Sequence, residues 1–254
     1  MKNKFLLLSF ICLVATSCKK EVHLTKIVGH ERLSISDSLK ADPAIEDFVK
    51  PFYDRVNSDL DSVLAYSVDT FTKNNGDLNT AIGNYMADAV FEESNPVFLE
   101  RTGKSIDMVL LNHGGIRSII SKGPITSRTA YQVMPFENSV VVAAIKGIQI
   151  NDMFIYLSKA KRAHPVSRQF QLTLNKNETI NSGTINGKPI DENRIYYVAT
   201  NDYLANGGDR MTFFQPNDSL YVLDYKIRNV LIDNFKKIDT LQPSIDNRFI
   251  QLED

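Results

Sequence analysis

Tyr197-Val198-Ala199-Thr200-Asn201-Asp202-Tyr203-Leu204-Ala205-Asn206-Gly207-Gly208-Asp209 takes an apolar strand straight into an aromatic ring, two glycines and a carboxylate. The strand supplies a rigid base, Tyr203 offers a flat face for stacking, the glycines let backbone approach a ligand, and Asp209 accepts hydrogen bonds from hydroxyls. A second stretch has the same build. Ile106-Asp107-Met108-Val109-Leu110-Leu111 reads as a buried strand and opens into Asn112-His113-Gly114-Gly115-Ile116-Arg117, again glycines beside polar groups at a strand end.

The chain has 254 residues, 43% of them apolar, which is enough for a substantial core, and a charged fraction of 23% argues against disorder. Its net charge is −1 and it has no long Lys/Arg run, so it lacks the electrostatic footprint of a nucleic-acid binder. At the N-terminus Lys2 and Lys4 precede an apolar stretch from Phe5 to Val14, too short to span a bilayer, and Ala15-Thr16-Ser17 leads into Cys18. This reads as a bacterial lipoprotein signal over residues 1–17 with Cys18 as the lipidation site, an ordinary secretory signal being the plainer alternative. The other cysteine, Cys12, falls in the removed segment, so the mature chain has no disulfide chemistry. A lipid anchor at Cys18 implies the cell envelope, on the periplasmic face or the cell surface.

Residues 18–41 read as a polar tether with a short strand near Lys26 to Val28, and residues 42–254 as the folded domain. Asp42-Pro43 is a helix-start signal, and Ile45, Phe48, Val49, Phe52, Val56, Leu60 and Val63 share a helical face. Tyr66 to Phe71 reads as a strand. Leu78, Ile82, Tyr85, Met86 and Ala89 mark a second helix. Ser139 to Lys146, Gln169 to Leu174, Ile195 to Thr200 and Arg248 to Leu252 are strand-like, Ile148 to Ala160 and Leu223 to Lys237 helical, and Asn186-Gly187 a hairpin turn. Mixed strands, helices and hairpins favour α+β over a purely parallel sheet.

Gly123-Pro124-Ile125-Thr126, Val133-Met134-Pro135-Phe136-Glu137-Asn138 and Gly83-Asn84-Tyr85-Met86-Ala87-Asp88-Ala89 complete an ordered set of motifs. With the two strand-end loops they resemble the C-terminal, substrate-binding domain of the 5′-nucleotidase and UDP-sugar hydrolase family, over roughly residues 43 to 250. The resemblance implies a four-layer α/β/β/α fold with mixed sheets. It implies a purine held between Phe136 and Tyr203, Asn112 at the base, Asp209 at the ribose hydroxyls, and Arg117 at hydroxyls or a phosphate. Gly114, Gly115, Gly207 and Gly208 then allow close backbone approach, a role that tight turns alone also explain. The plain alternatives are core packing for the aromatics, a loop-fixing salt bridge for Arg117 and a turn for Asp209.

Two departures stand out. The family's arginine ahead of G-N-x-x-x-D-A is missing from Asp77 to Ile82, and Arg210 follows Asp209 where the family tends to have glycine. Arg210 either replaces the lost cation or obstructs the pocket. The family's hydrolytic chemistry resides in a separate two-metal domain, and none of its D-x-H, G-N-H-E or G-H-x-H motifs occurs here; His23, His30, His113 and His164 are scattered singly. No catalytic residue and no metal ligand is therefore assigned to this chain, and divalent metals are expected only on a partner. The reading is a domain of nucleotide catabolism that recognises a nucleoside or nucleotide and acts with a separately encoded metallophosphatase. The alternatives are a non-catalytic nucleoside-binding lipoprotein for uptake or sensing, and a scaffold that has lost its ligand.

Overall fold

The computed structural model describes residue 29 and residues 31–253. The signal segment, Cys18, His23, His30 and the short strand expected at Lys26 to Val28 lie outside the described residues. The chain divides into two compact units, residues 1–50 and 51–254. Helix α1 (Pro43–Asp61) begins in the first, where the Asp42 carboxylate accepts from the Ala44 amide at 2.9 Å, as its N-cap position requires. No residue of α1 is buried, so the apolar stripe that marks a helical face in the sequence does not enter a core. In the second unit Arg128 moors the end of this helix, its guanidinium donating to Asp61 Oδ1 and Asn57 Oδ1, each at 2.6 Å.

Strand β1 (Val63–Ser67) follows, three residues earlier than the sequence pattern indicates, because β-branched Val63 ends the helix and begins the pairing. Helix α2 (Ala81–Thr102) is longer than the stripe ending at Ala89 and runs through Pro96. Thr80 opens it by accepting from the Gly83 amide at 3.2 Å, and Gly103 closes it in the left-handed region at φ 69°. There follow β2 (Met108–Val109), β3 (Gly123–Thr126), α3 (Ser127–Val133), β4 (Ser139–Lys146), α4 (Gly147–Ala160), β5 (Phe170–Leu174), β6 (Ile180–Ile185), β7 (Lys188–Pro189), β8 (Ile195–Asn201), α5 (Asp202–Ala205), β9 (Ser219–Lys226), α6 (Ile227–Phe235), β10 (Thr240–Leu241) and β11 (Phe249–Gln251). The helix read at Leu223 to Lys237 begins only at Ile227, since Tyr221 to Lys226 pair with β4 as strand.

The fold is α+β and, among the described residues, has three mixed sheets, in the orders β10-β1-β3, β11-β5-β6-β7 and β2-β8-β4-β9. The last is central, and its strands β2, β8 and β4 are buried on both faces while the edge strand β9 is largely exposed. Strand alternation sends Val109, Val140, Val142 and Ala199 into one core with Ile82, Met86, Val90 and Phe98 of α2 and Val230 and Leu231 of α6. The intervening Met108, Ala143, Ile145, Tyr196 and Val198 enter the other core, against Met153, Phe154 and Leu157 of α4 and Phe170, Leu172 and Phe249 of the second sheet. Strands apolar on both sides form a stiff plate, and what that plate holds rigid is the set of loops at its ends.

Candidate functional site

Strand register brings three of the sequence motifs to one end of the central sheet. β2 runs parallel to β8, with Met108 opposite Val198, so Asn112–Arg117 after β2 and Asp202–Arg210 after β8 leave the sheet on the same side. β4 runs antiparallel to β8, with Val140 opposite Asn201, so Pro135–Asn138 enters β4 at that same end. Residues far apart in sequence become neighbours there.

Asp209 is the hub of this end. Asn201, closing β8, caps α5 by accepting from the Leu204 amide at 2.7 Å, and Gly207 turns the chain at φ 87°. Asp209 and Arg210 then both sit in the left-handed region, at φ 51° and 62°, a conformation that costs side-chain-bearing residues about 1 kcal/mol or more and persists only where neighbours hold it. Four hydrogen bonds do so. The Asp209 Oδ2 accepts from Asn112 Nδ2 at 2.7 Å, Oδ1 accepts from the Tyr203 hydroxyl at 3.0 Å, its amide donates back to that hydroxyl at 3.2 Å, and its carbonyl accepts from the Tyr156 hydroxyl at 2.8 Å. A Cβ on Gly208 would lie 2.5 Å from the Tyr203 ring, so a glycine is required for the ring to lie against the loop.

Both aromatics of the sequence reading are open to solvent, Phe136 at 41% and Tyr203 at 48% exposure, which is more than core packing would leave them. Tyr203 lines an open cavity of about 580 Å³ with Asn138, Asp202, Asn206, Gly207 and Gly208. The Arg117 guanidinium stands 5.8 Å from the centre of the Phe136 ring, within cation–π range. Asn112, by contrast, is 8% exposed and engaged with Asp209, while Asn138 and Asn206 line the cavity. A Cβ on Gly115 would crowd Asn112 Oδ1 at 2.9 Å, whereas the position of Gly114 is roomier.

Sequence reasoning missed several contributors. Lys73 donates from Nζ to the Ile116 carbonyl at 2.8 Å, which puts a cation beside the Arg117 loop close to where the sequence lacks the family's arginine. Arg228 of α6 stacks on Tyr131 at 4.1 Å and pairs with Glu137, whose carboxyl it holds below the usual range; Lys226 Nζ donates to the Glu137 carbonyl at 2.6 Å. The Phe136-Glu137-Asn138 loop is thereby clamped from behind. Tyr156 and His164 lie on and just beyond α4, and no spacing rule ties them to Asp209. Burial, and then the charge of Asp209, raise the Tyr156 phenol above its ordinary value. His164 receives the His113 amide on Nδ1 at 3.3 Å, and burial pushes it down to about 4, so it is neutral at physiological pH. Burial likewise lowers His113.

The Gly83–Ala89 motif goes elsewhere. Asn84 donates to Asn79 Oδ1 at 2.8 Å and to the Ser244 carbonyl at 3.0 Å, and Asp88 meets Arg248 in a two-pronged pair at 3.1 and 3.0 Å. These residues border a separate cavity of about 490 Å³ with Glu92, Arg168 and Asn234. Among the described residues no three His, Cys, Asp or Glu side chains come together as a metal would need, so the donor set does not fit a metal pair.

Fold and site thus define a mixed-sheet recognition domain that presents rings, a carboxylate and cations at one end of a buried sheet. The sequence model of the 5′-nucleotidase, C-terminal domain matches residues 62–216, and the chain belongs to that family. It is 25% identical over 249 residues to protein UshA of Yersinia enterocolitica, a match that covers 95% of this chain and 38% of the relative. To protein UshA of Escherichia coli it is 33% identical over 116 residues, 44% of this chain and 20% of the relative. The crystal structure of a 5′-nucleotidase precursor from Thermus thermophilus shares the fold at TM-score 0.67 and 22% identity, covering 83% of this chain and 43% of that one. NAD nucleotidase of Haemophilus influenzae does so at TM-score 0.62 and 16% identity, covering 83% and 42%. The chain therefore spans less than half the length of these relatives.

Proposed function

We propose that this chain recognises the nucleoside part of a nucleotide, and that a separately encoded metallophosphatase, carrying the divalent metals, supplies the hydrolysis. The observation that carries the reading is the convergence of exposed Tyr203 and Phe136, Asp209, and the cations Arg117 and Lys73 at one end of the central sheet. The base stacks on the rings, Asn138 offers an amide to its edge, Asp209 accepts from the sugar, and the cations face the phosphate. Asn112 then acts on the base only through Asp209, as a positioning residue. A lipid at Cys18 keeps the domain in the envelope, where nucleotide catabolism by this pair would take place.

The test is AMP hydrolysis by a candidate partner phosphatase with and without this chain, together with calorimetric binding of adenosine to the chain alone. The expected result is adenosine binding by the chain and a partner activity that rises when it is added. A partner that is fully active alone and unaffected by the chain overturns the split-enzyme reading. Adenosine binding without any effect on a partner leaves a free-standing nucleoside-binding lipoprotein. Failure to bind any nucleoside or nucleotide overturns both.

A further inference from the structure

The Tyr203 hydroxyl is tied into a closed ring with Asp209. It donates to Oδ1 at 3.0 Å and accepts from the Asp209 amide at 3.2 Å, while the aromatic ring rests on the bare Cα of Gly208. The stacking platform and the carboxylate are therefore one unit, fixed relative to each other before any ligand arrives.

The two protein partners of the carboxylate approach it from opposite surroundings. Asn112 is 8% exposed and donates to Oδ2 from inside the fold; Tyr203 is 48% exposed, lines the cavity, and donates to Oδ1 from the side on which a ligand enters. A vicinal diol is read by a carboxylate most tightly when each hydroxyl takes one oxygen, as two parallel bonds do for a guanidinium. Here the ligand-side position on Oδ1 is already filled by a tethered phenol, which a diffusing hydroxyl must displace, and displacement also breaks the bond from the Asp209 amide. Oδ2 keeps an acceptor position that Asn112 does not use, because each ionised oxygen offers about two.

We propose that the Tyr203 hydroxyl stands in for one sugar hydroxyl, so that Asp209 reads a single hydroxyl of the ligand and the site accepts a mono-deoxy nucleoside as readily as a ribonucleoside. This rests on the nucleoside reading given above, and it makes Tyr203 a specificity-determining residue as well as a stacking one. Phenylalanine at this position would keep the platform and free Oδ1 for the diol.

The experiment measures dissociation constants of adenosine, 2′-deoxyadenosine, 3′-deoxyadenosine and 2′,3′-dideoxyadenosine for the wild-type chain and for Tyr203→Phe. Circular dichroism confirms that the variant is folded. For the wild type, one of the two mono-deoxy compounds binds within about threefold of adenosine, and the dideoxy compound binds about tenfold or more weakly, the loss expected for one hydrogen bond to a charged group. In Tyr203→Phe both mono-deoxy compounds fall behind adenosine by about tenfold or more, because the diol now takes both oxygens. The proposal is overturned if both mono-deoxy compounds already bind the wild type about tenfold more weakly than adenosine, or if Tyr203→Phe leaves the pattern of ratios unchanged. Absence of binding by adenosine itself is a separate outcome, and overturns the nucleoside reading along with it.

Discussion

Two clusters built from similar side chains behave in opposite ways. In the Gly83–Ala89 motif, Asn84 and Asp88 are turned inward and fully engaged, Asp88 with an arginine that is 6% exposed. At the strand ends, Asn112 is also buried and donates to Asp209, but Asp209 itself is exposed, and two consecutive residues there hold left-handed backbone. Membership in a motif therefore does not decide whether a residue meets a ligand. Burial and the state of its hydrogen-bonding capacity do.

The sharpest break in this comparison comes from Asp88→Ala. It removes one carboxylate from buried Arg248 and an acceptor from the Arg168 amide, and should destabilise the fold by about 3 to 5 kcal/mol in urea unfolding. Adenosine affinity of the remaining folded protein should stay the same. A large affinity loss without a stability loss would move this motif to the ligand side.

His164 is next in size, and it ties the pocket end to stability through pH. Its folded-state value, about 4, lies below the ordinary 6.5, so between these values the unfolded chain binds a proton that the folded chain refuses. Stability is complete above pH 6.5 and falls as pH drops toward 4, by roughly 3 kcal/mol at the bottom of the window. Urea midpoints across that range should show the slope in the wild type and a flatter one in His164→Gln; equal slopes would mean that the ring is protonated in the fold.

Phe136→Ala should give the smallest change in stability and a clear change in binding. Loss of one stacking ring lowers nucleoside affinity by about tenfold to a hundredfold. The unfolding midpoint should shift by less than about 1 kcal/mol, as expected for a half-exposed side chain. The reverse result would make Phe136 a packing residue and dissolve the contrast between the two clusters.

Much of this was legible because strand alternation and glycine placement are local signals. Ser139–Lys146, Gly147–Ala160 and Ile195–Asn201 form within a residue or so of their patterns, and Asn186-Gly187 turns as read, at φ 53° and 69°. Residues Leu223–Lys226 take strand rather than helix although Ile227, Val230, Leu231 and Phe235 beyond them keep a helical period, because the strand that pairs with β4 runs on to Lys226. The surface position of α1 was illegible for a related reason, since an apolar stripe says that a face wants cover without saying what provides it. In the pocket, glycines and rings announce themselves within a motif, but Tyr156, His164, Lys73 and Arg228 reach it across 43 to 91 positions through side chains alone. Nothing in their own neighbourhoods marks them. The bond that ties Asn112 to Asp209 is hidden for the same reason, since the two lie 97 positions apart.

The pairing of Arg248 with Asp88 joins points 160 positions apart, and β11 then lays residues 249–251 beside β5. Closing so long a loop adds little to its equilibrium cost, because that cost grows only logarithmically, but it slows the search for the native state. Docking of the segment around β11 is thus a long-range step of folding, and the Asp88–Arg248 pair is completed only with it.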